Sequence, residues 1–199
     1  TGEKVTGPTV LSPEELAKNH SNYCEDVLAH PLNDQFYRDR TPDLSKIGVP
    51  ALVVASWGGL GLHLRGTVRG FLGIASKDKW LKVQAGSYFH TFLQPKNVAM
   101  QKRFFEKYLK GVDNGWEKEP RVEVSVRGAD DKVNRWLPGN DWPLPETQWT
   151  AWHLDLAAKG FAPGPVAKAA RIDFDSTGEG VAFRSAPLDK PLTFAGPIK

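Results

Sequence analysis

Cysteine is nearly absent: Cys24 stands alone in 199 residues. A lone thiol excludes a disulfide framework and a cysteine-based metal site, and it fits a reducing, cytoplasmic setting. Long apolar runs are missing too. The longest, Pro50 to Ser56, has the length of a strand and falls far short of the ~20 residues a membrane helix needs, so no membrane partner is expected. Neither sign of charge dominates, with 26 basic and 23 acidic residues giving a net +3. The densest basic stretch, Lys102 to Lys110, is interleaved with Phe104, Phe105, Tyr108 and Leu109. That is the pattern of a solvated amphipathic helix, and nucleic acid is not an expected partner. No histidine pair stands at metal-ligand spacing, and no glycine-rich phosphate loop follows a strand. Asp130, Asp131, Asp173 and Asp175 lack the D-x-D-x-D-G order of a calcium loop and read as turn residues. Neither metal nor organic cofactor is expected. The start, Thr1-Gly2-Glu3-Lys4-Val5, lacks signal-peptide character and an initiating methionine, and it reads as the middle of a longer chain.

What is present is an ordinary soluble composition: 40% apolar, 25% charged, mean hydropathy −0.41. The length suits one domain or two small ones. Ser12-Pro13-Glu14-Glu15-Leu16 is a strong helix start, with a capping residue, proline in the first turn and glutamate at the third position. Leu16, Tyr23 and Val27 then fall on one helical face. Pro31 and Pro42 break the next stretch into loop plus a short helix. Val49 to Ser56 reads as a strand buried on both faces, and Trp57-Gly58-Gly59 ends it. Leu62 to Ile74 has helical spacing, Lys79 to Ala85 alternates like a strand, and Val98 to Lys110 is a helix closed by Gly111. Strand, helix, strand, helix predicts an α/β fold to about Trp116.

The character then changes. Lys118-Glu119-Pro120 reads as a linker, and Val122, Val124 and Val126 alternate with polar residues as in a half-buried antiparallel strand. Trp149 to Leu154, Ala170 to Phe174 and Val181 to Arg184 continue as short strands between Pro and Gly turns, and another strand starts at Gly196-Pro197-Ile198-Lys199. This half predicts an all-β sandwich. Trp80, Trp136, Trp142, Trp149 and Trp152 are expected to pack within it or at a domain junction.

Several stretches then combine. His30-Pro31-Leu32-Asn33-Asp34 is followed by Asp43-Leu44-Ser45-Lys46-Ile47, by Val49 to Val54 with Ser56-Trp57, and by Gly61-Leu62-His63-Leu64-Arg65-Gly66. Lys79-Trp80-Leu81, Gln101 to Phe105, Tyr108 to Gly111 and Asp113 to Trp116 continue the series. Trp142-Pro143-Leu144-Pro145, Ala186-Pro187-Leu188 and Leu192 to Pro197 close it. In order and spacing over residues 30 to 199 these resemble the CocE/NonD hydrolases, which take in cocaine-esterase-like and X-prolyl dipeptidyl-peptidase-like enzymes. The resemblance implies the C-terminal part of an α/β-hydrolase domain over 1–116, with 1–47 as a helical lead-in from the cap. Residues 117–199 would be part of a jelly-roll domain. It also implies Ser-His-Asp acyl transfer on an ester, an amide or an Xaa-Pro peptide, with a G-x-S-x-G nucleophile that this chain does not contain.

The resemblance places the catalytic acid and base at two strand ends, and there the sequence departs from it. The acid position holds Gly59, which cannot orient an imidazole, and the base position holds Gln84, which has no proton to exchange near neutral pH. Three residues remain candidates for catalysis. His90 lies in the loop after the second strand, and His63 opens a helix in the Gly-Leu-His motif. Ser56 sits between a strand and a helix, where Val54 replaces the small residue that a nucleophile elbow needs. Two functions are therefore expected: a piece of an acyl hydrolase, or an inactive homologue kept as a binding or interaction module. Either form, with a sheet edge left open, would form oligomers or pair with a complementing chain.

Overall fold

The computed structural model describes residues 11–19, 21–59, 61–162 and 164–196. The chain divides into two compact units, Thr1–Asp43 and Leu44–Lys199. The first holds three short helices, α1 (Pro13–Lys18), α2 (Tyr23–Ala29) and α3 (Gln35–Asp39). Ser12 and Glu15 form the predicted capping box: Glu15 N–H donates to Ser12 Oγ at 3.3 Å, and Ser12 N–H donates to Glu15 Oε2 at 2.9 Å. The single face expected for Leu16, Tyr23 and Val27 is interrupted, because Asn19 ends α1 and the Asn22 side chain caps a new helix. Asp34 caps α3 and also pairs with His30 Nδ1 at 2.7 Å, and the His30 ring stacks on Phe36.

In the second unit, β1 (Ala51–Ser56), α4 (Leu64–Gly73) and β2 (Lys79–Gln84) form a parallel strand pair with its crossover helix. Next come α5 (Tyr88–Phe92), α6 (Pro95–Lys110), β3 (Val122–Arg127) and β4 (Val133–Gly139). The four strands make one mixed sheet in the order β1-β2-β3-β4. Both faces of it are covered. Ala55, Leu81, Val83, Val122 and Val124 pack with Leu64 and Phe71 of α4, while Trp80 on the opposite face meets Phe104 of α6 and Trp116. At the end of α6, Gly111 takes the left-handed conformation, φ 68°, that the sequence predicts for its cap.

Val122 to Val126 form the expected strand, but only its β4 side is antiparallel; its other side pairs parallel with β2. Beyond β4 the described residues form one two-stranded sheet, β5 (His153–Asp155) with β6 (Gly160–Ala162). The strand expected over Trp149 to Leu154 shrinks to β5. Ala170 to Phe174 form no strand, and Val181 to Arg184 contribute a single bridge from Arg184 to Gly160. These segments find no neighbouring strand to bond along their length, and Phe174 is 61% exposed. The strand expected from Gly196 lies outside the described residues after that glycine. Among those described, no helix is long and apolar enough to cross a membrane.

Candidate functional site

The β1–β2 register pairs Ser56 with Gln84, so the two parallel strands end level. Ligands of open α/β sheets bind outside such carboxyl ends, and a cleft of about 640 Å³ lies beside this pair. Gly58, Gly59, Leu62, His63, Tyr88 and Phe89 are among the residues that line it. Trp57 fixes the turn below by donating its indole N–H to the Ser125 carbonyl at 2.8 Å. No Asp, Glu, Lys or Arg is among the lining residues.

Ser56 is 2% exposed, and its hydroxyl donates to the Gly86 carbonyl while Oγ accepts the Gly58 N–H at 3.2 Å. A carbonyl holds this proton; no base does. The Ser56 N–H donates to Tyr88 Oη at 3.2 Å. Gly59 lies against the edge of the Tyr88 ring, where a Cβ would overlap Cε2. His63 sits at the N-cap position of α4, exposed and without a capping hydrogen bond of its own, and its ring meets Tyr88 edge-on at 5.5 Å. His90 lies exposed in α5, outside the cleft lining. Of the three candidates, then, Ser56 and His63 both contact Tyr88, and His90 stands apart.

Gln84 is buried and tied to Asn97 in the first turn of α6. Gln84 Nε2 donates to Asn97 Oδ1 at 2.9 Å, and Asn97 Nδ2 donates back to Gln84 Oε1 at 3.3 Å and also to the Thr91 carbonyl. Thr91 Oγ1 donates to the Ala85 carbonyl at 2.9 Å. The end of β2 is thereby fastened to α5 and α6 by neutral amides. Sequence reasoning missed Asn97 and Thr91, since a polar residue in a first helical turn reads as a solvated cap. It missed Tyr88 as well, because an aromatic in a loop carries no mark of which strand end it covers.

Farther along β2, Lys82 is 2% exposed and donates to Glu119 at 3.4 Å and Glu123 at 3.2 Å. Arg103 donates to the other oxygen of Glu119 at 2.8 Å. Burial by itself would raise the Glu119 pKa, but the Arg103 hydrogen bond and the two positive charges outweigh it, and the net direction is downward. Among the described residues, no three His, Cys, Asp or Glu side chains gather as a metal site would require. Asp130 and Asp175 accept backbone N–H groups two residues on, as turn residues do, and Asp173 pairs with Arg171. Trp80 and Trp142 are buried as expected, whereas Trp136, Trp149 and Trp152 are 37%, 61% and 36% exposed.

A family profile described as the X-Pro dipeptidyl-peptidase C-terminal non-catalytic domain matches residues 114–199. Cocaine esterase from Rhodococcus sp. (strain MB1 Bresler) is 28% identical over 151 residues, a match covering 65% of this chain and 25% of that protein. Two crystal structures of a CocE/NonD family hydrolase from Staphylococcus aureus superpose with TM-scores of 0.69 and 0.67 at 32% and 33% identity. They cover 74% and 72% of this chain, which in turn covers 26% of each of them. The chain thus spans about a quarter of the length of the relatives it matches.

Proposed function

The chain belongs to the CocE/NonD hydrolase family, and from that premise we propose that it is a segment of an acyl-hydrolase scaffold whose strand-end cleft binds a small ester, amide or peptide without turning it over. The observation that carries this reading is the Gln84–Asn97 pair. Acyl transfer by a serine needs an imidazole to take its proton and a carboxylate to orient that imidazole. At the base position a primary amide is spent on holding α6, and at the acid position Gly59 is pressed against the edge of a tyrosine ring. The proposal includes residues 1–116 as the closing part of an α/β-hydrolase domain, with 1–47 as lead-in, and 117–199 as part of a jelly roll. The start of the family match at residue 114 supports that division.

His63 favours a second reading. Among the described residues it is the one imidazole lining the cleft, and in a whole protein with a G-x-S-x-G serine supplied from outside these residues it would be the base. Hydrolysis of p-nitrophenyl acetate and butyrate separates the two. Under the binding reading the whole protein that carries these residues, and its Ser56→Ala, His63→Ala and His90→Ala variants, all run at the buffer rate. Turnover that His63→Ala abolishes would sink that reading and establish the second.

A further inference from the structure

Tyr88 begins α5, yet three other segments hold its side chain. Its hydroxyl accepts the Ser56 N–H at the end of β1, at 3.2 Å. Its ring stands edge-on to His63 at the start of α4, with centroids 5.5 Å apart and an interplanar angle of 85°. Its Cε2 fills the place a Cβ on Gly59 would take, with Oη 3.2 Å from that place. A ring anchored in this way cannot step aside for a side chain at position 59, so the glycine and the tyrosine depend on one another. Without the ring, a gap would open beside Gly59, between His63 and the β1 end.

We propose that Tyr88 is the specificity-determining residue of the cleft: its ring fills the ring-sized space beside Gly59 and restricts the site to slender, uncharged aliphatic ligands. This rests on the reading of the cleft as a binding site. The absence of any carboxylate, ammonium or guanidinium from its lining sets the neutral character of the ligand. The anchored ring sets its shape, since a filled volume in a packed wall rejects a second ring as a core rejects an added side chain.

Two measurements test the proposal, using Tyr88→Ala, Tyr88→Phe, and Gly59→Ala alone and combined with each of them in the full chain. In thermal unfolding, Gly59→Ala lowers Tm by about 2–10 °C in the wild-type and Tyr88→Phe backgrounds, and the loss disappears in Tyr88→Ala. An equal loss in all three overturns the proposal. In titrations followed by NMR, Tyr88→Ala binds benzyl alcohol about tenfold more tightly than wild type, a gain the size of a ring newly buried. The affinity for 1-butanol changes less than that for benzyl alcohol, and Tyr88→Phe, which keeps the ring but loses the hydroxyl that accepts the Ser56 N–H, lies between wild type and Tyr88→Ala. Equal affinity of benzyl alcohol for wild type and Tyr88→Ala overturns the proposal and leaves the binding cleft standing. Binding of neither alcohol to any of the proteins overturns the cleft reading and the proposal with it.

Discussion

The Gln84 and Asn97 amides are a closed pair in a buried setting, and a closed pair is costly to open from one side. Gln84→Leu leaves Asn97 Oδ1 without its donor, and stability should fall by about 1–3 kcal/mol, read as a lower urea midpoint at unchanged slope. Adding Asn97→Leu should cost less than the sum of the two single changes, because the double variant leaves no orphaned amide between them. Lys82 shows why such sites escape sequence reading. The alternation in Lys79 to Ala85 implies a strand with one wet face, yet Lys82 is almost fully covered. What permits its burial is a pair of carboxylates about forty residues away, Glu119 and Glu123, and no local pattern announces them. The family resemblance drew attention to Gly59 and Gln84. The partners that make them structural, Tyr88 and Asn97, were not legible.

At the level of elements, well-capped helices announced themselves, whereas α5, expected as a loop, did not, and strands did so only in part. Caps are local chemistry: Ser12 with Glu15, and Gly111, sit where the sequence puts them. Gly111→Ala should cost about 1 kcal/mol in chemical denaturation, because an added Cβ meets nothing within 4 Å and the penalty is that of the left-handed backbone alone. A strand needs a neighbour, and for Ala170 to Phe174 the described residues offer none, so alternating apolar residues were an insufficient signal. The junction of β2, α6 and β3 is held by charge. The Glu119 pKa is below its ordinary 4.5 in the folded chain, so its contribution is complete above that value and drains away as the pH falls through the carboxylate range. Tm should therefore decline below about pH 5, and Arg103→Gln should flatten that decline by removing the 2.8 Å hydrogen bond that favours the ionised form.

Across the whole molecule, the C-terminal third keeps much apolar surface in water. Trp149, Leu154, Phe174, Leu188 and Phe194 are each at least half exposed. Surface of this kind attracts further surface, and the purified chain should self-associate. Sedimentation velocity should show a weight-average mass that climbs above 22.0 kDa with concentration; a constant monomer mass over a hundredfold range would refute this. The α/β character of the first half was legible because a parallel pair with its crossover helix lies within some thirty-five residues. The second half was not, since its order depends on contacts far apart in sequence.

The parallel pairing of β3 with β2 bears on how such a protein could be reshaped over evolutionary time. The stretch that matches the non-catalytic domain begins at Asn114, yet β3, eight residues on, completes the sheet that β1 and β2 begin. A recombination joint at residue 114 would carry β3 away with the donated segment and strip the remaining strands of Val122 and Val124 from their shared core. Gene rearrangements that exchange this tail should therefore succeed only when the crossover falls after Gly139, beyond the β3–β4 hairpin, so that the exchanged tail is shorter than the segment that matches the family profile.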